Sequence, residues 1–282
     1  MSERPIDLQT HSVHSDGTLT PTEIVERAAE TDLAAVALTD HDTTSGLEAF
    51  EQAGEDRDVE TVPGVELSAR VGRQDVDILG YFVDPDDETL QEVMEKARRF
   101  RRERAPEMIE RLAEVGAPIE IEAVEEHAGE AAIGRPHIAQ ALVDAGHVDD
   151  VDEAFAELIG EEQPGCVPKE RLDPPEAIGA IHSAHGVAVL AHPSHIHPAA
   201  FGRILEVLFE AGVDGIEVWH SDHDRNHEQF FGQQAAKHGL VKTGGSDFHG
   251  DNKPDIALGE GRGDLGVPYE SLERLRQRAG SE

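Results

Sequence analysis

Seven short apolar runs, each about the length of a strand, recur along the chain. They are "IDLQTHS" near the start, "AAVALTD" (34–40), "ETVPGVELS" (60–68), "VDILGYFV" (76–83), "GVAVLAHP" (186–193), "DGIEVWH" (214–220) and "LVKTGGSDFH" (240–249). Helix-like segments separate several of them. "PTEIVERAAETD" is amphipathic, with Thr20 placed to cap its first turn and Pro21 at its first position. "PAAFGRILEVLFEAG" and "NHEQFFGQQAAKHG" follow later runs. Strand and helix in alternation predict a parallel α/β architecture. The span 86–165 breaks the alternation, reading as helix throughout, and predicts a helical insertion between the fourth and fifth strands.

Polar residues fall in a pattern on these runs. His11, Asp40 with His41, Glu66, Asp77, His192, His220 and Asp247 with His249 lie in or just beyond them, mostly at their C-terminal ends. In a barrel of parallel strands those ends converge on one face, where active sites are built. Asp7, Gln9 and His11 alternate along the first run and so point to one side. A buried polar stripe costs several kcal/mol unless something compensates, and bound cations would. Asp40 and His41 are adjacent, so one is expected to bind metal and the other to orient a neighbouring imidazole. Glu66, in an apolar run, can bridge two cations. His192 is followed by Pro193, which stops its strand. Asp247 and His249 share a face at period two, and the glycines before them allow close backbone approach. Asp16 sits in "SDG", which also suits a plain turn.

Imidazoles and carboxylates without thiolates suit Zn²⁺, Mn²⁺ or Fe²⁺ better than Mg²⁺. The ligands outnumber what one ion can use, so two to three divalent ions are expected, an arrangement used for phosphate ester hydrolysis. The lone cysteine, Cys166, excludes an intrachain disulfide and a Cys-rich zinc site. No apolar run reaches bilayer length and the first residues are no signal peptide, which predicts a soluble cytosolic protein without a membrane partner. A formal charge of −35, from 24 basic and 59 acidic residues, disfavours capture of polyanions such as duplex DNA by surface charge alone. The acids are spread along the chain, a distribution that suits high salt.

The motifs "DLQTHSVHSDG", "LTDHDT", "PGVE", "AHP" and "GSDFH", in that order, resemble the PHP (polymerase and histidinol phosphatase) superfamily of metal-dependent phosphoesterases. The closest resemblance is to its TrpH/RNase AM-like branch, whose members act as 3′,5′-nucleoside bisphosphate phosphatases and 5′-to-3′ exoribonucleases on short RNA. "PTEIVERA" and "GRPHIAQALV" support it. The resemblance implies an α/β fold, a distorted (β/α)7 TIM-like barrel formed by 1–85 and 166–282, with 86–165 as a helical insertion subdomain. It implies three metals. His11, Glu66 and Asp247 would hold one ion; Glu66, Asp77 and His192 a second; Asp16, His41 and His249 a third. Arg135 and His137 of "GRPH" match the branch's substrate-phosphate residues and, with Asp247, would form the catalytic set. The substrate would be a small nucleotide or short RNA.

The resemblance has two departures. Histidine is usual where Gln9 and Asp77 stand. Asp77 is a competent ligand, whereas Gln9 offers a neutral amide oxygen, so the first site is expected to be weaker. Histidinol phosphate is the rival substrate, and a non-catalytic metal-binding module the rival class. Arg101 and Arg104 of "KARRFRRERA" share a helix face and suit a second phosphate or an RNA backbone, with pairing to Glu92, Glu95 and Glu103 as the alternative. His220 opens "HSDHDRNH", expected to be a loop with His220 lining the mouth of the site. His137, His220 and His249 are candidates for protonating the leaving oxygen.

Overall fold

The computed structural model describes residues 4–128, 133–160, 163–167 and 170–280, with the side chains of Arg101 and Arg102 outside the described set. Seven strands, β1 (Ile6–Asp7), β2 (Ala35–Leu38), β3 (Glu60–Val71), β4 (Gln74–Tyr81), β5 (Val187–Leu190), β6 (Gly215–His220) and β7 (Val241–Gly245), pair in sequence order. The two edges nearly meet. The Leu8 N–H donates to the Gly244 carbonyl at 3.2 Å, and Thr10 bridges Phe248 in parallel register. Gly244 and Gly245 permit this approach. A Cβ on Gly245 would lie 2.4 Å from the Gln9 nitrogen, and one on Gly244 2.3 Å from the Trp219 carbonyl oxygen.

The all-parallel expectation fails at one strand. β4 runs antiparallel to both β3 and β5, whereas the other neighbouring pairs are parallel. Only Gly72 and Arg73 separate β3 from β4, and Gly72 takes φ +63°. So short a link can only fold back on itself, because a parallel partner needs a crossover of a dozen residues or more. The reversal decides where Asp77 lies. Midway along its strand, Asp77 pairs with Ser68 and its carbonyl accepts from the N–H of Ala191, the residue just after β5, which brings it to the barrel end where the parallel strands terminate.

The first helix, Pro21–Glu30, is fixed by a capping box. The Thr20 hydroxyl accepts from the Glu23 N–H at 3.3 Å and the Glu23 carboxylate from the Thr20 N–H at 2.8 Å. Asp224 caps helix Arg225–His238, and Gly239 ends it in the left-handed conformation. Apolar side chains of the strands, among them Ile6, Ala35, Val62, Leu79, Val187 and Val189, pack with Leu8, Leu272 and Leu275 in one core.

The chain divides into two compact units, Met1–Glu95 with Arg171–Glu282, and Lys96–Glu170. Helix Glu88–Glu114 spans the division, and Leu90 and Met94 in its first turns are buried. The second unit also contains helices Ile121–Ala128, Arg135–Asp144 and Val151–Ala154 and a π turn, Phe155–Ile159. Its own core includes Met108, Leu112, Val124, Ile138, Leu142 and Ile159.

Candidate metal centre

Side chains from six strands and the segments that follow them gather at one end of the barrel. Among the described residues, three groups have ligand atoms within 4.8 Å of one another: His11, Asp16, His41 and His249; His11, Glu66 and Asp247; Glu66, Asp77 and His192. Glu66 is the hinge of the arrangement. Its Oε2 lies 3.1 Å from His11 Nε2 and 3.9 Å from His41 Nδ1, and its Oε1 lies 3.0 Å from His192 Nε2. Asp247 Oδ1 stands 3.3 Å from His11 Nε2, and Asp16 Oδ1 3.2 Å from His249 Nε2.

The donor set fits divalent ions. His11 is fully buried, yet neither ring nitrogen has a hydrogen-bond partner, although Nε2 lies close to two carboxylates. A buried imidazole that lies within 3.3 Å of two carboxylates and is not committed to a hydrogen bond is a suitable nitrogen ligand. His249 is oriented from behind. Its Nδ1 donates to the Asp247 carbonyl at 2.8 Å, which leaves Nε2 as the free lone pair facing Asp16.

Electrostatics bind the group together. Burial opposes ionisation of Glu66, but the imidazoles of His41, His11 and His192 hold its carboxyl well below the usual range. Burial disfavours charge on His192, yet the hydrogen bond to Glu66 and the surrounding acids push it up to about 10. Protons and metal ions therefore compete for the same nitrogens.

Local backbone geometry differs from a plain continuation of strands. β1 ends at Asp7, and Leu8–His11 is held instead by bonds such as Thr39 N–H to the Thr10 carbonyl and His11 N–H to the Phe248 carbonyl, both 2.9 Å. β7 ends at Gly245, and Asp247 takes φ +58°, so Asp247 and His249 meet through a turn and not through strand period two. His192 is also left-handed, at φ +24°.

Asp40 does not orient an imidazole. Its carboxylate accepts from the Ser12 N–H at 2.7 Å and from the Ser12 and Ser15 hydroxyls at 2.6 Å each, and so fixes the loop that carries Asp16. Asp7 likewise serves the backbone, accepting from the Ser246 and Gly259 N–H groups at 2.8 Å. Gln9 turns its side-chain amide N–H to Glu66 Oε2 at 3.2 Å, while its side-chain Oε1 is buried without a partner. His220 accepts the Asp222 N–H on Nδ1 at 3.1 Å, which places its own proton on Nε2, 3.8 Å from Asp247 Oδ2. Burial keeps that ring neutral by lowering its pKa.

Two residues escaped the sequence reading. Glu217, fully buried in β6, accepts the His192 N–H at 2.7 Å, and burial pushes its carboxyl up to about 8. The signal was an acid in the apolar run "GIEVWH", the same signal that marked Glu66. Lys253 forms an ion pair with Asp247; no strand-end pattern marks it.

The remaining expected residues lie in the helical unit. The Arg135 guanidinium sits 5.6 Å from the centre of the Phe155 ring, and His137 Nδ1 accepts the Gly134 N–H at 3.0 Å. Arg104 Nε donates to the Val167 carbonyl at 3.0 Å. The Arg101 side chain lies outside the described residues.

Comparison with known proteins identifies the family. The PHP domain family matches residues 7–127. A 3′,5′-nucleoside bisphosphate phosphatase of Chromobacterium violaceum is 37% identical over 264 residues, covering 93% of this chain and 90% of the relative. A 5′-3′ exoribonuclease of Haemophilus influenzae is 33% identical over 245 residues, covering 86% of this chain and 89% of the relative. A solved structure from Bifidobacterium adolescentis, described as a metal-dependent phosphoesterase, superposes with a TM-score of 0.76 at 31% identity, covering 98% of this chain and 97% of that one. The chain belongs to the PHP family of metal-dependent phosphoesterases.

Proposed function

We propose that this protein hydrolyses phosphate monoesters of nucleotides, taking 3′,5′-nucleoside bisphosphates and trimming short RNA from its 5′ end, with two to three divalent ions (Mn²⁺, Zn²⁺ or Fe²⁺). The observation that carries the reading is Glu66, a buried carboxylate whose two oxygens face two different ligand groups. The names of the relatives, one a bisphosphate phosphatase and one an exoribonuclease, support the substrate class.

In this reading His11, Asp16, His41, Glu66, Asp77, His192, Asp247 and His249 hold the ions. When bound, they supply Lewis acidity and a lowered water pKa. The chain's own part is orientation. Glu217 fixes the backbone of His192, Asp40 fixes the loop of Asp16, and His220 presents an Nε2 proton to a phosphoryl or leaving oxygen. On the helical unit, Arg135 and His137 are assigned to the substrate phosphate by the resemblance, and Arg101 and Arg104 to a second phosphate or the RNA backbone. A protein of charge −35 needs such local cations to accept a polyanion. The acidic surface suits a cytoplasm of high ionic strength. Among the described residues, no helix is long and apolar enough to cross a membrane.

The test is phosphate release from adenosine 3′,5′-bisphosphate, a short 5′-phosphorylated RNA and histidinol phosphate, with Mn²⁺ at high salt. Wild type is expected to turn over the first two and not the third, and Glu66→Gln to lose at least about 100-fold, since it removes a shared ligand. Bound Mn²⁺ without turnover of any substrate would instead mark a non-catalytic metal-binding module.

A further inference from the structure

One ligand group differs from the other two in what already occupies its carboxylates. Lys253, 37% exposed on the loop after β7, places its ammonium on Asp247 Oδ2. Gln9 donates its amide N–H to Glu66 Oε2, the oxygen that also faces His11. The two acids flanking His11 in the His11–Glu66–Asp247 group are thus each met by a nitrogen donor of the chain, one of them a full positive charge. Among the described residues, no lysine or arginine pairs with Asp16, Glu66 or Asp77 in the other groups.

We propose that Lys253 acts as a tethered cation at the His11–Glu66–Asp247 group, so that this protein binds two divalent ions tightly and a third there only weakly. The inference rests on the metal-binding reading above. A divalent ion at Asp247 must either displace the ammonium or sit beside it. Two like charges a few ångströms apart in a partly buried site repel strongly. The neutral amide of Gln9 adds no charge to recover the loss. The chain thereby neutralises part of its acid cluster without an ion, and Asp247 stays anchored to the loop that carries Lys253.

Equilibrium dialysis against Mn²⁺ with metal analysis reads the stoichiometry and the affinity of each ion without reference to activity. Wild type is expected to bind two ions tightly and a third at least about tenfold more weakly. Lys253→Met should tighten the third ion by about tenfold or more, and Gln9→His combined with Lys253→Met should tighten it further. Lys253→Arg, which keeps the charge, should behave as wild type. Thermal melts by circular dichroism check that each variant is folded. Three equally tight ions in the wild type, or a smaller change in Lys253→Met, would overturn the inference and leave the metal centre standing. No Mn²⁺ bound by any folded variant would overturn both.

Discussion

Asp40 shows how much of this centre depends on residues that touch no ligand atom. Three donors from Ser12 and Ser15 converge on its carboxylate, and the loop they hold delivers Asp16 to His41 and His249. Asp40→Asn replaces one acceptor oxygen with a donor and faces a hydroxyl with an N–H. Loss of such a supporting contact costs about 10- to 100-fold in metal affinity. Mn²⁺ titration should therefore show one class of site weakened by about tenfold or more, with the others unchanged. Equal affinities in variant and wild type would contradict this role. Most of the candidate ligands were legible in the sequence as polar residues in or beside an apolar run, a placement with a high energetic cost, whereas Asp16 sits in a plain turn and stood out only through the resemblance. Supporting residues carry a weaker mark. Asp40 was visible but its partners were not, since its hydroxyl donors lie 25 and 28 positions away. Lys253 is an ordinary loop lysine until the fold brings it to Asp247.

At the scale of elements, the strands were legible from their apolar runs and the direction of β4 was not. Periodicity is blind to direction. The two-residue link at Gly72 and Arg73 held the information, but the run before it, "VELSARV", hides where β3 ends. The far end of the barrel depends on a different acid. Asp214 accepts from the Ala188 N–H at 2.9 Å and His182 Nε2 at 2.8 Å on one oxygen, and from Arg278 Nε at 2.8 Å on the other. It ties the starts of β5 and β6 to helices Pro174–Ser183 and Glu270–Ala279. Asp214→Asn should destabilise the protein by about 1–3 kcal/mol at neutral pH, through loss of charge-assisted bonds. Burial works against the ionised form, but His182, the Ala188 N–H and Arg278 hold the Asp214 carboxyl below its ordinary value of 3.8. A depressed pKa stabilises the fold above the unfolded value and loses that contribution as pH falls through the folded one. The gap between wild type and variant in urea unfolding should thus be full at neutral pH and shrink in acid below 3.8. A gap that is constant or widens in acid would contradict the assignment.

For the whole molecule, the charge of −35 is the dominant physical fact outside the site. Repulsion among spread acids opposes compaction, and salt screens it over about 10 Å at 0.1 M and about 3 Å at 1 M. The midpoint of thermal unfolding should rise as KCl is raised into the molar range, and a flat or falling midpoint would contradict the reading of the surface. The same charge bears on the proposed metal cluster. Asp16, Glu66, Asp77 and Asp247 bring four carboxylates together, and on the proposed reading divalent cations offset them before a phosphate enters.

Anomalous diffraction from crystals grown with Mn²⁺ tests the centre most directly. Peaks are expected within bonding distance of Glu66 Oε1 and of the Asp16–His41–His249 group, with the position beside Lys253 weakest. Strong peaks remote from Glu66, or a Glu66 carboxylate without an ion on either oxygen at saturating Mn²⁺, would contradict it.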